Sequence, residues 1–114
     1  MADPIVNLRT HRRTWALGQD ELARLLGIAQ SSYARIESGE RLPDVQVLIR
    51  LQVVFGLSAR DILPALYHQI EEEVMAHAAM LDRKWSQGRH YGARQKLRLL
   101  ERMALRAKDN GLEA

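Results

Sequence analysis

Residues 18–43 read GQDELARLLGIAQSSYARIESGERLP, two short amphipathic segments with almost nothing between them. Gly18 stands where a helix can be capped. Asp20 and Glu21 fall in the first turn, where negative charge meets the helix dipole favourably, and Gly27 closes the segment at a position that tolerates a left-handed backbone. A second helix is expected from Gln30 to about Glu37, ending at Ser38 and Gly39. Eight residues are too few for a helix to persist alone in water, so packing must set its position. On a helical wheel Tyr33 and Ile36 point one way, towards a surface offered by Leu22, Ala23, Leu26 and Ile28. Ser31, Ala34, Arg35 and Ser38 point the other way, with Gln30 at the exposed N-terminal end. A short helix held by its back, presenting small and hydrogen-bonding side chains, suits the major groove of DNA.

Outward from this stretch nearly every segment has helical spacing. Upstream, Asp3 and Pro4 supply an N-cap and a proline at the first helical position, predicting a helix through about Thr14. Downstream, Pro43 and Asp44 open a fourth helix with apolar residues at Val47, Leu48, Leu51, Val54 and Phe55, and Gly56 stops it. Ser58 followed by Asp61 resembles a capping box for a short fifth helix, which Pro64 breaks while opening the next. Only LQVVFGL could be taken for a strand, and its spacing continues the stripe from Leu48. The expected class is all-α.

The 114 residues suit one small domain with an appendage. There is no cysteine and no apolar run near the ~20 residues that a bilayer requires. The N-terminus lacks the order of a secretory signal, so a soluble, cytoplasmic chain is expected, without a membrane partner. The net charge of +3 leans mildly towards an anionic partner. From Arg83 to Lys108, however, nine basic residues face Glu101 alone, a net +8, directly after the acidic cluster Glu71 to Glu73. His11, His68, His77 and His90 fall at no metal-ligand spacing, and no phosphate-binding glycine loop, cysteine nucleophile or acid pair is present. Neither catalysis nor a cofactor is expected.

The segment from about residue 5 to Ile62 resembles the lambda-repressor-like, Cro-type helix-turn-helix family, also called the XRE family. The matching residues are Leu17, Gln19, Leu22, Ala23, Gly27, Ile28, Ile36, Glu37, Gly39 and Pro43, followed by FGLSARDIL. The resemblance implies a five-helix DNA-binding domain at residues 1–63, with a helical extension at 64–114. It implies that Gln19 binds backbone phosphate and braces Gln30, the first residue of the recognition helix. Gln30 can pair with adenine N6 and N7, and Arg35 with guanine O6 and N7. Ser31 and Ser32 can reach a base edge or a phosphate, and backbone amides near Ser38 and Gly39, with Arg41, would hold phosphate. Arg12 and Glu37 match an ion pair that fixes the recognition helix and does not touch bases. Three departures stand out. Ala29 replaces the favoured serine or threonine N-cap. Gly18 replaces a serine and loses its hydroxyl. Tyr33 replaces a smaller aliphatic residue, with its hydroxyl expected at the protein–DNA boundary.

The extension adds two apolar stripes, Leu66, Ile70, Val74, His77, Leu81 and Trp85 on one helix and Leu97, Leu100, Met103, Ala104 and Ala107 on another, separated by SQGRHYG. Stripes outside a complete core need a partner, and dimerisation through Leu66, Ile70, Val74, Leu81, Trp85, Leu97, Leu100 and Met103 is favoured over packing back on the head. The expectation is therefore a repressor that binds an inverted repeat of double-stranded DNA as a homodimer. The alternatives are an antitoxin whose C-terminal helices hold a protein partner, and a protein-binding adaptor or antiactivator that has lost DNA binding.

Overall fold

The computed structural model describes residues 7–111, and every regular element in them is helical. In chain order these are α1 (Arg9–Thr14), α2 (Gln19–Leu26), α3 (Gln30–Glu37), α4 (Val45–Phe55), α5 (Ala59–Ile62), α6 (Pro64–Ser86) and α7 (Ala93–Asp109). The chain divides into two compact units, Met1–Tyr67 and His68–Ala114, with the boundary inside α6.

Local chemistry explains most of the helix ends in the first unit. The Glu21 carboxylate accepts the Gly18 N–H at 2.8 Å, the half of a capping box that needs no side chain on residue 18. Gly27, at φ 70°, takes the left-handed conformation that ends α2. Its N–H donates to Arg24 O and the Ile28 N–H to Ala23 O. Asp44 Oδ1 accepts the Val47 N–H at 2.9 Å to start α4, and Gly56, at φ 71°, stops it. At α5 the Asp61 carboxylate accepts the Ser58 N–H while the Ser58 hydroxyl accepts the Asp61 N–H, closing the box. The first helix departs from expectation. Asp3 and Pro4 lie outside the described residues, Asn7 and Leu8 are not helical, and α1 opens only at Arg9. The Asn7 N–H is taken instead by the Ile62 carbonyl at 2.8 Å, joining the entering chain to α5.

These elements surround one core in which Leu8, Leu22, Leu26, Tyr33, Leu51 and Ile62 are the largest fully buried side chains. Burying each such side chain is worth about 1.5–3 kcal/mol, far more than an eight-residue helix gains from its own hydrogen bonds. Arg50 of α4 donates to the Leu26 carbonyl at 3.0 Å, satisfying a group that the end of α2 leaves open. Leu66 packs against the same core and is thus taken up by the head.

The second unit is an antiparallel helical hairpin. Asn110 Nδ2 donates to Glu71 Oε2 at 3.0 Å near one end, and Lys96 Nζ sits 5.4 Å from the centre of the Trp85 ring near the other. Ala78, Leu100 and Ala107 are its buried residues, with Met75, Trp85, Leu97 and Met103 half-buried. Trp85, Leu97, Leu100 and Met103 are therefore largely covered within a single chain. Ile70, Val74 and Leu81 stay 48 %, 44 % and 38 % exposed. Open apolar surface is not confined to the extension. On the head, Val45, Ile49 and Val53 form a ridge along α4, 70 %, 57 % and 80 % exposed.

Candidate nucleic-acid interface

The α3 helix is fixed from behind by two apolar residues and one charge. Tyr33 and Ile36 are buried in the core, and Glu37 is buried beside them. The Glu37 carboxylate collects three donors from α1: Arg12 Nε at 2.8 Å, an Arg12 terminal nitrogen at 2.7 Å and Arg9 Nε at 3.3 Å. The other terminal nitrogen of Arg12 donates to Leu17 O at 2.9 Å, joining the start of α2 to the same group. A forked, charge-assisted pair of this kind fixes direction as well as distance. Burial works against the Glu37 charge. The hydrogen bonds and charge of Arg12 and the Arg9 contact outweigh it, and the pKa is pushed down to about 2. Arg12 is held more firmly protonated, chiefly by its hydrogen bond to Glu37. Sequence reasoning found Arg12 and Glu37 but missed Arg9, whose only signal was its position one turn ahead of Arg12.

Tyr33 corrects an expectation. Its hydroxyl does not reach the protein–DNA boundary but is buried next to the Arg12–Glu37 pair, and burial first, then its closeness to Glu37, raises its pKa well above the ordinary value. It makes no hydrogen bond of good geometry and lies unsatisfied close to the pair.

The front of α3 presents Gln30, Ser31, Arg35 and Ser38, all exposed, around a half-buried Ala34. Ser32 lies round the side of the helix and is half-buried. Ala29 begins the helix with an extended backbone and no side-chain cap. The Gln30 amide and the half-buried Gln19 amide, at the start of α2, make no side-chain hydrogen bond to each other. The expected brace is thus absent, and both amides keep their full donor and acceptor capacity.

Beyond α3 the backbone is already committed. The Ser38 N–H donates to Ala34 O, the Gly39 N–H to Ile36 O and the Arg41 N–H to Arg35 O, while the Ser38 hydroxyl donates to Arg35 O and accepts the Glu40 N–H. These bonds satisfy the carbonyls at the helix end, so the amides at Ser38 and Gly39 are not presented to a phosphate as expected. The exposed Arg41 guanidinium, with no ion pair among the described residues, is the free donor of that group. Among the described residues no cluster of His, Asp or Glu could hold a metal, and no helix is long and apolar enough to cross a membrane.

The helix-turn-helix family model matches residues 17–62, from just before α2 to the end of α5. Neither the curated proteins nor the solved structures give a match. The matched residues contain α2, the Gly27 turn, α3 with its buried back and polar front, and the two helices that close the core. Residues 17–62 therefore form a helix-turn-helix domain similar to those of the XRE, lambda-repressor/Cro-like family.

Proposed function

We propose that the chain is a sequence-specific transcriptional repressor whose α3 reads the major groove and which binds an inverted repeat as a two-fold dimer. The observation that carries this reading is the polar front of α3 held on a buried, ion-paired back: Gln30, Ser31 and Arg35 face outward from a helix that Tyr33, Ile36 and Glu37 fix. Gln30 would take adenine and Arg35 guanine, each good bidentate pair worth about 1–3 kcal/mol of discrimination. Gln19 and Arg41 would hold phosphates and set the register.

One head covers one half-site, and two heads must stand about one DNA turn apart, roughly 34 Å, to fill both. The pairing surface would be the open side of α6, where Ile70, Val74, His77 and Leu81 recur at alternating spacings of four and three. A parallel pairing would set Lys84 against Lys84 in the next layer, which favours an antiparallel two-fold pairing. Leu66, Trp85, Leu97, Leu100 and Met103 drop out of this surface because each chain covers them itself.

Selection from a randomised duplex pool by the full-length chain tests the function. An enriched inverted repeat is expected. A single enriched half-site would remove the dimer, and no enrichment at all would leave a protein-binding adaptor as the better reading.

A further inference from the structure

Net charge barely distinguishes the two units, and what sets the second apart is where its cations lie. Met1–Tyr67 carries eight arginines against seven acidic residues, a net of +1. Of those arginines, Arg9 and Arg12 are engaged by Glu37, Arg50 by the Leu26 carbonyl, and Arg60 is engaged as well. Most sequence-independent affinity for DNA comes from cations that neutralise phosphates and release counterions. A head close to neutral is poorly supplied for that.

The α7 helix is supplied. Arg94, Arg98, Arg102 and Arg106 follow one another at intervals of four and are all exposed. At 1.5 Å per residue they form a ridge about 18 Å long. It runs on the side of α7 away from Leu100, Met103 and Ala107. Lys96, by contrast, is occupied over Trp85. None of the four arginines makes an ion pair or side-chain hydrogen bond among the described residues. Like charges four apart in a helix repel and destabilise it. The ridge contains three such pairs, none of them ion-paired to an acidic side chain among the described residues, and an anionic partner would offset their repulsion.

We propose that this ridge is a second DNA-binding surface, gripping the sugar–phosphate backbone of a duplex outside the bases that α3 reads. The inference rests on the DNA-binding reading above and assigns to the extension the sequence-independent share of the affinity. Planar guanidinium groups pair with phosphate in a fork that lysine cannot make. An acidic protein is the rival anion, but protein interfaces centre on apolar and aromatic residues with charge at the rim. From Arg94 to Arg102 this face holds only arginines and Gln95, with Leu99 and Glu101 at its two edges. Leu105 and Asp109 join it near the C-terminal end.

The test is the salt dependence of binding to a random-sequence duplex, measured on the full-length chain. Each phosphate contact contributes about 0.9 to the slope of log affinity against log salt. Replacing all four arginines (R94Q, R98Q, R102Q, R106Q) should lower the slope by about 3.6, with helicity retained. Replacing them with lysine should leave the slope nearly unchanged while lowering affinity. If the four-glutamine chain does not fold, R98Q with R102Q takes its place, with a fall of roughly 2 expected. A wild-type chain with no salt-dependent affinity for any duplex would defeat the DNA-binding reading itself. A wild type with a steep slope that the glutamine variants share would leave that reading intact and overturn this one.

Discussion

Glu37 combines two properties that conflict at most sites: its side chain is 1 % exposed, and it is charged. Three guanidinium nitrogens resolve the conflict, and the price is a dependence on pH. Because the folded pKa, about 2, lies below the unfolded value near 4.5, the contribution is fully present above about pH 5 and lost as pH falls towards 2. At 1.36 kcal/mol per unit it is at most about 3 kcal/mol. Urea midpoints of the wild type should fall across that window, and those of Glu37→Gln should be lower at neutral pH and flatter. Parallel curves would mean that other carboxylates set the acid limb. Ala29 offers a gain: with an extended backbone and no side-chain acceptor for the first amides of α3, Ala29→Ser should add about 1 kcal/mol. An unchanged denaturation midpoint would show that those amides are already satisfied. The Arg12–Glu37 pair was legible because the family resemblance supplied it, whereas the buried Tyr33 hydroxyl was not. A wheel gives the side from which a tyrosine leaves the helix, but not how far the pocket behind it extends.

At the scale of elements, helix ends were legible wherever one residue's chemistry decides them. Gly27 and Gly56 take left-handed backbones, Asp44 caps α4, and Ser58 with Asp61 closes a box. The start of α1 was not, because the chain around Asn7 follows a hydrogen bond to Ile62, 55 residues away in sequence. No local pattern records such a partner. The expected stripe of α6 took in Trp85, which turns inward, and left out Met75 and Ala78, for a related reason. Met75, Ala78 and Trp85 turn inward while Ile70, Val74 and Leu81 stay open, and periodicity alone does not separate the two sides. The proposed pairing makes the open side decisive. Val74→Asp should weaken the dimer by about 2 kcal/mol or more, roughly thirtyfold in Kd, by sedimentation. Val53→Asp, on the α4 ridge, should leave it intact. The reverse pattern would move the interface to the head.

At the scale of the whole molecule, the helix-turn-helix head carries hydrogen-bonding groups on an almost neutral unit, and the extension carries apolar surface and unpaired cations. The proposed function gives base reading and affinity to different residues, a division that can be measured. Its centre is the claim that the front of α3 recognises sequence. The most direct test takes the duplex that the wild-type chain selects from a random pool. It then titrates wild type and Arg35→Ala, at one fixed salt concentration, against that duplex and against random sequence. Arg35 is exposed, has no ion pair among the described residues and points away from the core, so its loss should cost about 1–3 kcal/mol on the selected duplex and almost nothing on random DNA. Equal losses on the two duplexes would contradict the account, because Arg35 would then be holding phosphate and α3 would not be reading bases through it.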